Sequence, residues 1–291
     1  MTALQTLRNV SSQLATTQNR ISTGQRVSTA SDNAAYWSIA TSMRADNAAL
    51  SAVSDSLGLS AATVDTEYTA LTAVVGDQTG GLTKLQALLV EAKTAGIDRT
   101  KIQADITQIQ QQMKGTASAA TFNGVNWLSA TTATPATFNL VSSFSRVGGT
   151  PTIGTITLTI SNYSLYSSTS TGILDTQASG VSVDNLTIAT LTDSTTDQTT
   201  LDTYIAKVTA AINSVASAAA NLGAVKNRIS TNTEFVKTLM DSVDRGVGQL
   251  VDADMNAEST RLQALQTQQQ LGVQALSIAN QNSQSILSLF R

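Results

Sequence analysis

The sequence predicts a mainly α protein, with long antiparallel coiled-coil helices drawn from both halves of the chain and a small β-rich insert in the middle. Three observations carry this. Apolar residues recur every seven positions on both flanks; the two prolines, Pro135 and Pro151, both lie near the centre; and the centre is rich in Thr and Ser with a period of two. Proline removes a backbone donor and clashes with the preceding turn, so the flanks are free of the strongest helix breaker. Hydrophobic residues make up 41% of the 291, but aromatics only 4%. Burial must therefore come from Leu, Ile, Val and Ala, which suits thin bundles with close backbones rather than one thick core.

At the N-terminal end, Leu4, Leu7, Leu14 and Ile21 fall at helical spacing, diluted by Ser11 and Gln18. So thin a stripe cannot hold a helix by itself. It is expected to be poorly ordered in the monomer and to become helical on assembly. The stretch NRISTGQRVSTASDNAAYWSIA, residues 19–40, reads as a joint between two helices. Gly24 permits the chain to leave the first. Asp32, with Ser31, offers a side-chain oxygen to the free N–H groups opening the second. Arg20 and Arg26 present charge either to solvent or to a neighbouring molecule.

The second helix carries Met43, Leu50, Leu57, Val64 and Leu71 at intervals of seven, beside a mixed seam of Asp46, Val53, Ser60, Glu67 and Val74. The register continues through Leu85, Leu88, Ala92 and Ala95. Three glycines in VVGDQTGG, residues 74–81, weaken it, each costing a helix about 1 kcal/mol relative to Ala. Either one helix with a soft spot or two helices in line is expected, a rod of about 90 Å over residues 33–95 at ~1.5 Å per residue. Gly96 and Asp98 read as a helix stop and a new N-cap. Ile102, Ile106, Ile109 and Met113 form the next amphipathic stripe, which Gly115 is expected to close. Asn123-Gly124 marks a hairpin turn within residues 120–128.

Residues 129–193 form the insert, where Ile156, Leu158 and Ile160 alternate with threonines as in a half-exposed strand. Beyond it Leu201, Val208, Val215, Leu222, Ile229, Val236, Val243 and Leu250 occupy consecutive heptad positions. Such a run has a chance probability on the order of one in a thousand per register. Its companions are Tyr204, Ala211, Ala218, Val225, Asn232, Leu239 and Gly246, and the polar Asn232 can fix register at some cost in stability. The C-terminal stripe, Leu262, Leu265, Leu276, Ile286 and Phe290, is as thin as the N-terminal one. Closing the halves on each other gives three expected domains: 1–32 with 248–291, 33–128 with 194–247, and 129–193. Both termini then lie at one end and the insert at the other.

Much chemistry is excluded. The chain has no cysteine and no histidine, which removes thiol nucleophiles, imidazole relays and thiolate or imidazole metal sites. No cofactor is expected. The net charge is −3 without a long basic run, so no nucleic-acid partner is expected. No run of about 18 consecutive apolar residues suggests a membrane span, and MTALQTLRNVSSQL lacks the apolar core of a cleaved signal. Asp252, Asp254 and Glu258 read as a polar face, because they lack the tight turn and carbonyl ligands of a calcium loop. Asp252 and Asp254 are candidates to pair with Arg44 or Arg261. The tripeptides at Asn162 and Asn185 match a glycosylation pattern that is common by chance.

The strings RISTGQRVSTASDNAAYWSIA, FNGVNWL, LVDADMNAEST and LQTQQQLGVQALSIANQNSQSILSLF, with the terminal Arg291, resemble bacterial flagellin of the alphaproteobacterial, rhizobial type. The resemblance covers residues 1–128 and 201–291. It implies a filament core made from both termini, a coiled-coil domain outside it and a variable surface domain from the middle. It also implies a non-enzymatic, extracellular filament subunit that polymerises with itself, with sister flagellins as further candidates. Export would use the flagellar type III apparatus without a cleaved signal, and the implied partners are an export chaperone, cap and hook-associated proteins. A hook–filament junction protein shares both ends and is the alternative. The family usually carries a short further segment before the equivalent of Met1, so the natural start is expected upstream. In LQALLVEAK, residues 85–93, Ala87 and Leu89 stand where the family usually has arginines and Val90 where it has glutamate. That implies apolar packing contacts at this face and poor sensing by the animal flagellin receptor. Weak recognition by plant receptors is expected too, since Asp32-Asn33 replaces an acidic pair and Tyr36-Trp37 add bulk.

Overall fold

The computed structural model describes residues 2–77, 80–131, 134, 136–147, 150–177 and 180–289. Among the described residues six α-helices dominate: α1 (Thr2–Thr23), α2 (Ala34–Val75), α3 (Gly81–Glu91), α4 (Arg99–Ala119), α5 (Thr195–Val251) and α6 (Met255–Leu289). Between α4 and α5 the described residues form four strands: β1 (Ser129–Ala130), β2 (Thr137–Val147), β3 (Thr150–Thr159) and β4 (Tyr166–Ser167). The chain divides into two compact units, residues 1–49 with 238–291, and residues 50–237.

In the 50–237 unit, α2 and α5 run antiparallel. Lys226 pairs with Asp65, and Gly223 faces the ring of Tyr68. Further along, Gln86 donates to the Thr209 hydroxyl at 2.8 Å, and Lys93 meets Asp202 at 2.5 Å. The partner numbers sum to nearly the same value throughout, which is the signature of an in-register antiparallel pair. It persists past residue 76, so α3 continues the path of α2 along α5. The glycine-rich stretch is a full interruption rather than a soft spot. Gly76 and Gly81 adopt φ of +67° and +70°, and a Cβ on Gly76 would lie 2.2 Å from the carbonyl oxygen of Gly80. Only glycine tolerates both conditions.

The seam positions Leu201, Val208, Val215, Leu222, Ile229 and Val236 are all buried, as are Leu50, Leu57, Val64 and Leu71. The seam that looked mixed is buried as well: Val53, Ser60, Glu67 and Val74 are each less than a tenth exposed. By length and composition α5 could cross a membrane, but its apolar heptad residues are the ones turned inward. Asp98 caps α4, its carboxylate accepting the Thr100 N–H at 3.1 Å. Gly115 does not end that helix, which runs to Ala119; one interior glycine costs too little to break it. Arg99 is buried and donates to the carbonyls of Ala92 (2.9 Å) and Leu191 (3.2 Å) and to Asp193 (2.5 Å). That clamps the approach to α5 beside the end of α3.

Asn123 and Gly124 both take positive φ, and Phe122 and Val125 exchange two backbone hydrogen bonds of 2.9 Å, the geometry of a tight hairpin turn. The strands form two small sheets: β2 with β3 antiparallel, and β1 with β4 parallel. In β3 only Ile156 and Leu158 are buried, while Ile153 is exposed. Trp127 is completely buried, its ring 5.3 Å from Phe138 and 6.4 Å from Tyr163.

In the other unit, α1 and α6 pair antiparallel, with Leu7 against Gly272 and Arg20 against Glu258. Val27, Ala40, Val247 and Val251 form a small core there, with Met43, Val243 and Leu250 packed partly buried against it.

Candidate functional site

The terminal helix pair and the joint at its end are the functional candidates, and both follow from local chemistry. Within α1, Leu7, Leu14 and Ile21 are half-buried and Leu4 is exposed. The true interior is one step over, at Val10 and Thr17, which are 6% and 3% exposed. Both lie seven apart on the row ending at Gly24, so the signal was present but a threonine and a single valine made it faint. On α6, Leu265 is buried, and Leu262 and Leu276 are half-buried. Leu271, Val273 and Ile278 are more than half exposed. The Ile286 side chain and Phe290 lie outside the described residues.

The joint differs from its sequence reading in three ways. First, Asp32 does not cap α2. Its Oδ2 accepts the backbone N–H groups of Ser28 (3.1 Å) and Thr29 (2.9 Å) and both their hydroxyls, closing the 28–32 loop. These bonds, led by that from the Thr29 N–H, hold its carboxyl below the usual range. The cap of α2 is Asn33, whose Oδ1 accepts the Tyr36 N–H at 3.1 Å. An amide one residue later meets the first free N–H groups with better geometry.

Second, Arg20 and Arg26 are engaged within the chain. Arg20 donates to Glu258 at 3.0 Å, and Glu258 is only 8% exposed. Arg26 donates to the carbonyls of Gln249 (3.4 Å) and Leu250 (3.0 Å), in the last turn of α5. A guanidinium there satisfies free carbonyls and opposes the negative end of the helix. Third, the acidic residues 252–258 do not share one helix. The chain breaks at 252–254, and Asp254 caps α6, accepting the N–H groups of Asn256 (2.9 Å) and Ala257 (3.2 Å). Glu258 takes Arg20 and, at 3.9 Å, Arg261.

Gly24, with φ +68°, ends α1 as its sequence context suggests. The two breaks face each other. Val251 accepts from the backbone N–H groups of Arg26 (2.6 Å) and Val27 (3.2 Å), Gly24 accepts from Ala253 (2.9 Å), and Gln25 bridges Asp252. The joint is therefore double, one break per arm, tied by backbone hydrogen bonds. At residues 85–93, Leu89 is completely buried, whereas Ala87 and Val90 are exposed.

Among the described residues no group of His, Cys, Asp or Glu is placed to hold a metal ion. What the chain offers is apolar helix surface: long paired seams within it, and unpartnered Leu, Val and Ile on α6. That is the make-up of a structural, helix-paired protein rather than of a catalyst. Residues 1–133 match the bacterial flagellin N-terminal helical region, and residues 205–290 match the bacterial flagellin C-terminal helical region. The chain is 43% identical to Flagellin C of Rhizobium meliloti (strain 1021) over 318 aligned positions, covering all of this chain and 97% of that one. It is 44% identical to a flagellin of Brucella melitensis biotype 1 over 292 positions, covering all of this chain and 96% of that one. Flagellin A of Rhizobium meliloti (strain 1021) is 39% identical over 391 positions, with 100% and 98% covered. The chain belongs to the bacterial flagellin family: it is a structural subunit of the extracellular flagellar filament, and not an enzyme.

Proposed function

We propose that the terminal pair α1–α6 is the polymerising element and that its folding is coupled to assembly. The observation that carries this is that α6 exposes apolar side chains on two sides: Leu271 and Ile278, seven apart on one face, and Val273 on the opposite one, are each more than half accessible in the single chain. Neither α1 nor α6 buries enough apolar area to repay the entropy of ordering itself. Contacts with further copies complete the seam, so the ends are flexible in the free subunit and helical in the filament. A loosely held end limits premature polymerisation and suits passage through the flagellar export apparatus as an unfolded chain.

The half-buried Leu7, Leu14, Ile21, Leu262 and Leu276 form the rest of this surface. The buried rows of α2 and α5 keep residues 50–237 folded in either state. On this reading residues 1–32 with 248–291 form the filament core, 33–128 with 194–247 the surrounding coiled coil, and 129–193 the outer surface. An export chaperone and cap and hook-associated proteins are the further partners on this reading, with sister flagellins as candidates for co-assembly.

Purified chain added to sheared filament seeds, followed by electron microscopy and circular dichroism, tests this directly. Long filaments with a rise in helicity are expected. Stable monomers or short caps from chains with intact ends would point instead to a junction protein.

A further inference from the structure

The interior of the 50–237 unit holds a carboxylate. Glu67 lies on the seam of Val53, Ser60 and Val74 and is completely buried. Its Oε1 accepts the backbone N–H of Trp127 at 2.8 Å, while its Oε2 is buried without a hydrogen-bond partner. The indole Nε1 of Trp127 and the hydroxyl of Tyr166 are buried and unpartnered too. The next residue, Leu128, accepts the N–H groups of both Leu165 and Tyr166 at 2.9 Å, where β1 and β4 meet. One side chain of α2 thus grips the turn through which the hairpin passes into the strands.

A buried charge without a cation is costly, so burial favours the neutral acid. It pushes Glu67 up to about 7, against the opposing pull of the Trp127 and Leu128 N–H groups. The charged groups on surrounding elements are committed elsewhere. Asp65 and Lys226, on α2 and α5, pair with each other at the surface. Lys114 of α4 pairs with Asp184 at 3.4 Å. Residues 120–128 contain no ionisable side chain, and Tyr166 of β4 is held neutral by its own burial.

We propose that Glu67 is a proton-operated latch: neutral, it seats the Trp127–Leu128 turn and the strands hung from it against α2, and on losing its proton it favours conformations that bring the carboxylate to water, so the turn and strands loosen. The seating of the insert then weakens as pH rises toward about 7 and is constant above it, independently of polymerisation.

Hydrogen exchange of the full chain, read amide by amide by NMR from pH 5 to 8 and corrected for intrinsic base catalysis, tests the latch. The opening constant at Trp127, Leu165 and Tyr166 should rise by about tenfold per pH unit up to about pH 7 and then level off. Val10 of α1, in the other unit, should not follow. Glu67→Gln should abolish the slope; an unchanged slope in that variant, or none in the native chain, overturns the proposal. A measurement needing no variant is carboxyl NMR of the native chain labelled at its four glutamates, Glu67, Glu91, Glu234 and Glu258. One resonance should titrate with a midpoint near 7; four midpoints in the ordinary carboxylate range overturn it.

Discussion

Glu67 has a stability signature as well as a local one. Its acidity in the folded chain is weaker than the ordinary 4.5, pushed up to about 7 by burial. The folded state therefore holds the proton more tightly than the unfolded state. Its contribution is fully present below about pH 4.5 and is lost as pH rises through about 7. The loss is at most roughly 3–4 kcal/mol, at ~1.4 kcal/mol for each tenfold difference in proton affinity between the two states. Urea melts of the native chain and Glu67→Gln at pH 5 and pH 8 should show that pH-dependent difference shrinking in the variant. Asn33 and Asp32 separate in the same way. Asn33→Ala should cost about 1 kcal/mol by uncapping α2, whereas Asp32→Ala should raise exchange at Ser28 and Thr29 and leave the Tyr36 amide protected. Sequence reading put the cap one residue early because Asp and Asn are equally good caps; only the path of the 28–32 loop decides between them.

At the scale of elements, periodicity revealed what packing dictates and missed what hydrogen bonding dictates. The row from Leu201 to Val236 is buried as its spacing indicates, because a single apolar stripe on a long helix has one low-energy place to go. Substituting Leu222→Ala, at 0% exposure, should cost roughly 2–5 kcal/mol, read by thermal melting of the 50–237 unit. The companion seam of α2 was harder to read, because Ser60 and Glu67 are polar and the N–H that Glu67 accepts, on Trp127, comes from sixty residues away. Likewise Arg20 and Arg26 looked free because Glu258 and the Leu250 carbonyl come from the other end of the chain. Arg20→Ala leaves the buried Glu258 with only the distant Arg261 and should weaken the α1–α6 pair by about 1–2 kcal/mol, measurable as a lower melting temperature of assembled filaments. The insert gave least away: the two-residue strands β1 and β4 carry no periodicity at all.

For the whole molecule, the alignment with Flagellin A runs to 391 positions against 291 residues here. This chain therefore lacks about a hundred positions of that relative, and the two helical-region matches leave residues 134–204 outside. Deleting residues 250–291 should leave residues 50–237 folded by circular dichroism yet unable to extend seeds; long filaments from the truncated chain would defeat assembly through the ends. Leu276→Asp should likewise stop polymerisation while leaving the melting of the 50–237 unit unchanged.

The double break at 24–27 and 251–254 has a mechanical consequence. Two rods broken at different heights splint one another, since each intact stretch spans the other's gap. Broken at the same height, they share a crease whose stiffness rests on a few backbone hydrogen bonds and the Arg26 guanidinium. The crease is also a counting device: one residue added to either arm alone would move its break out of step, turning a fold line into a staggered splice.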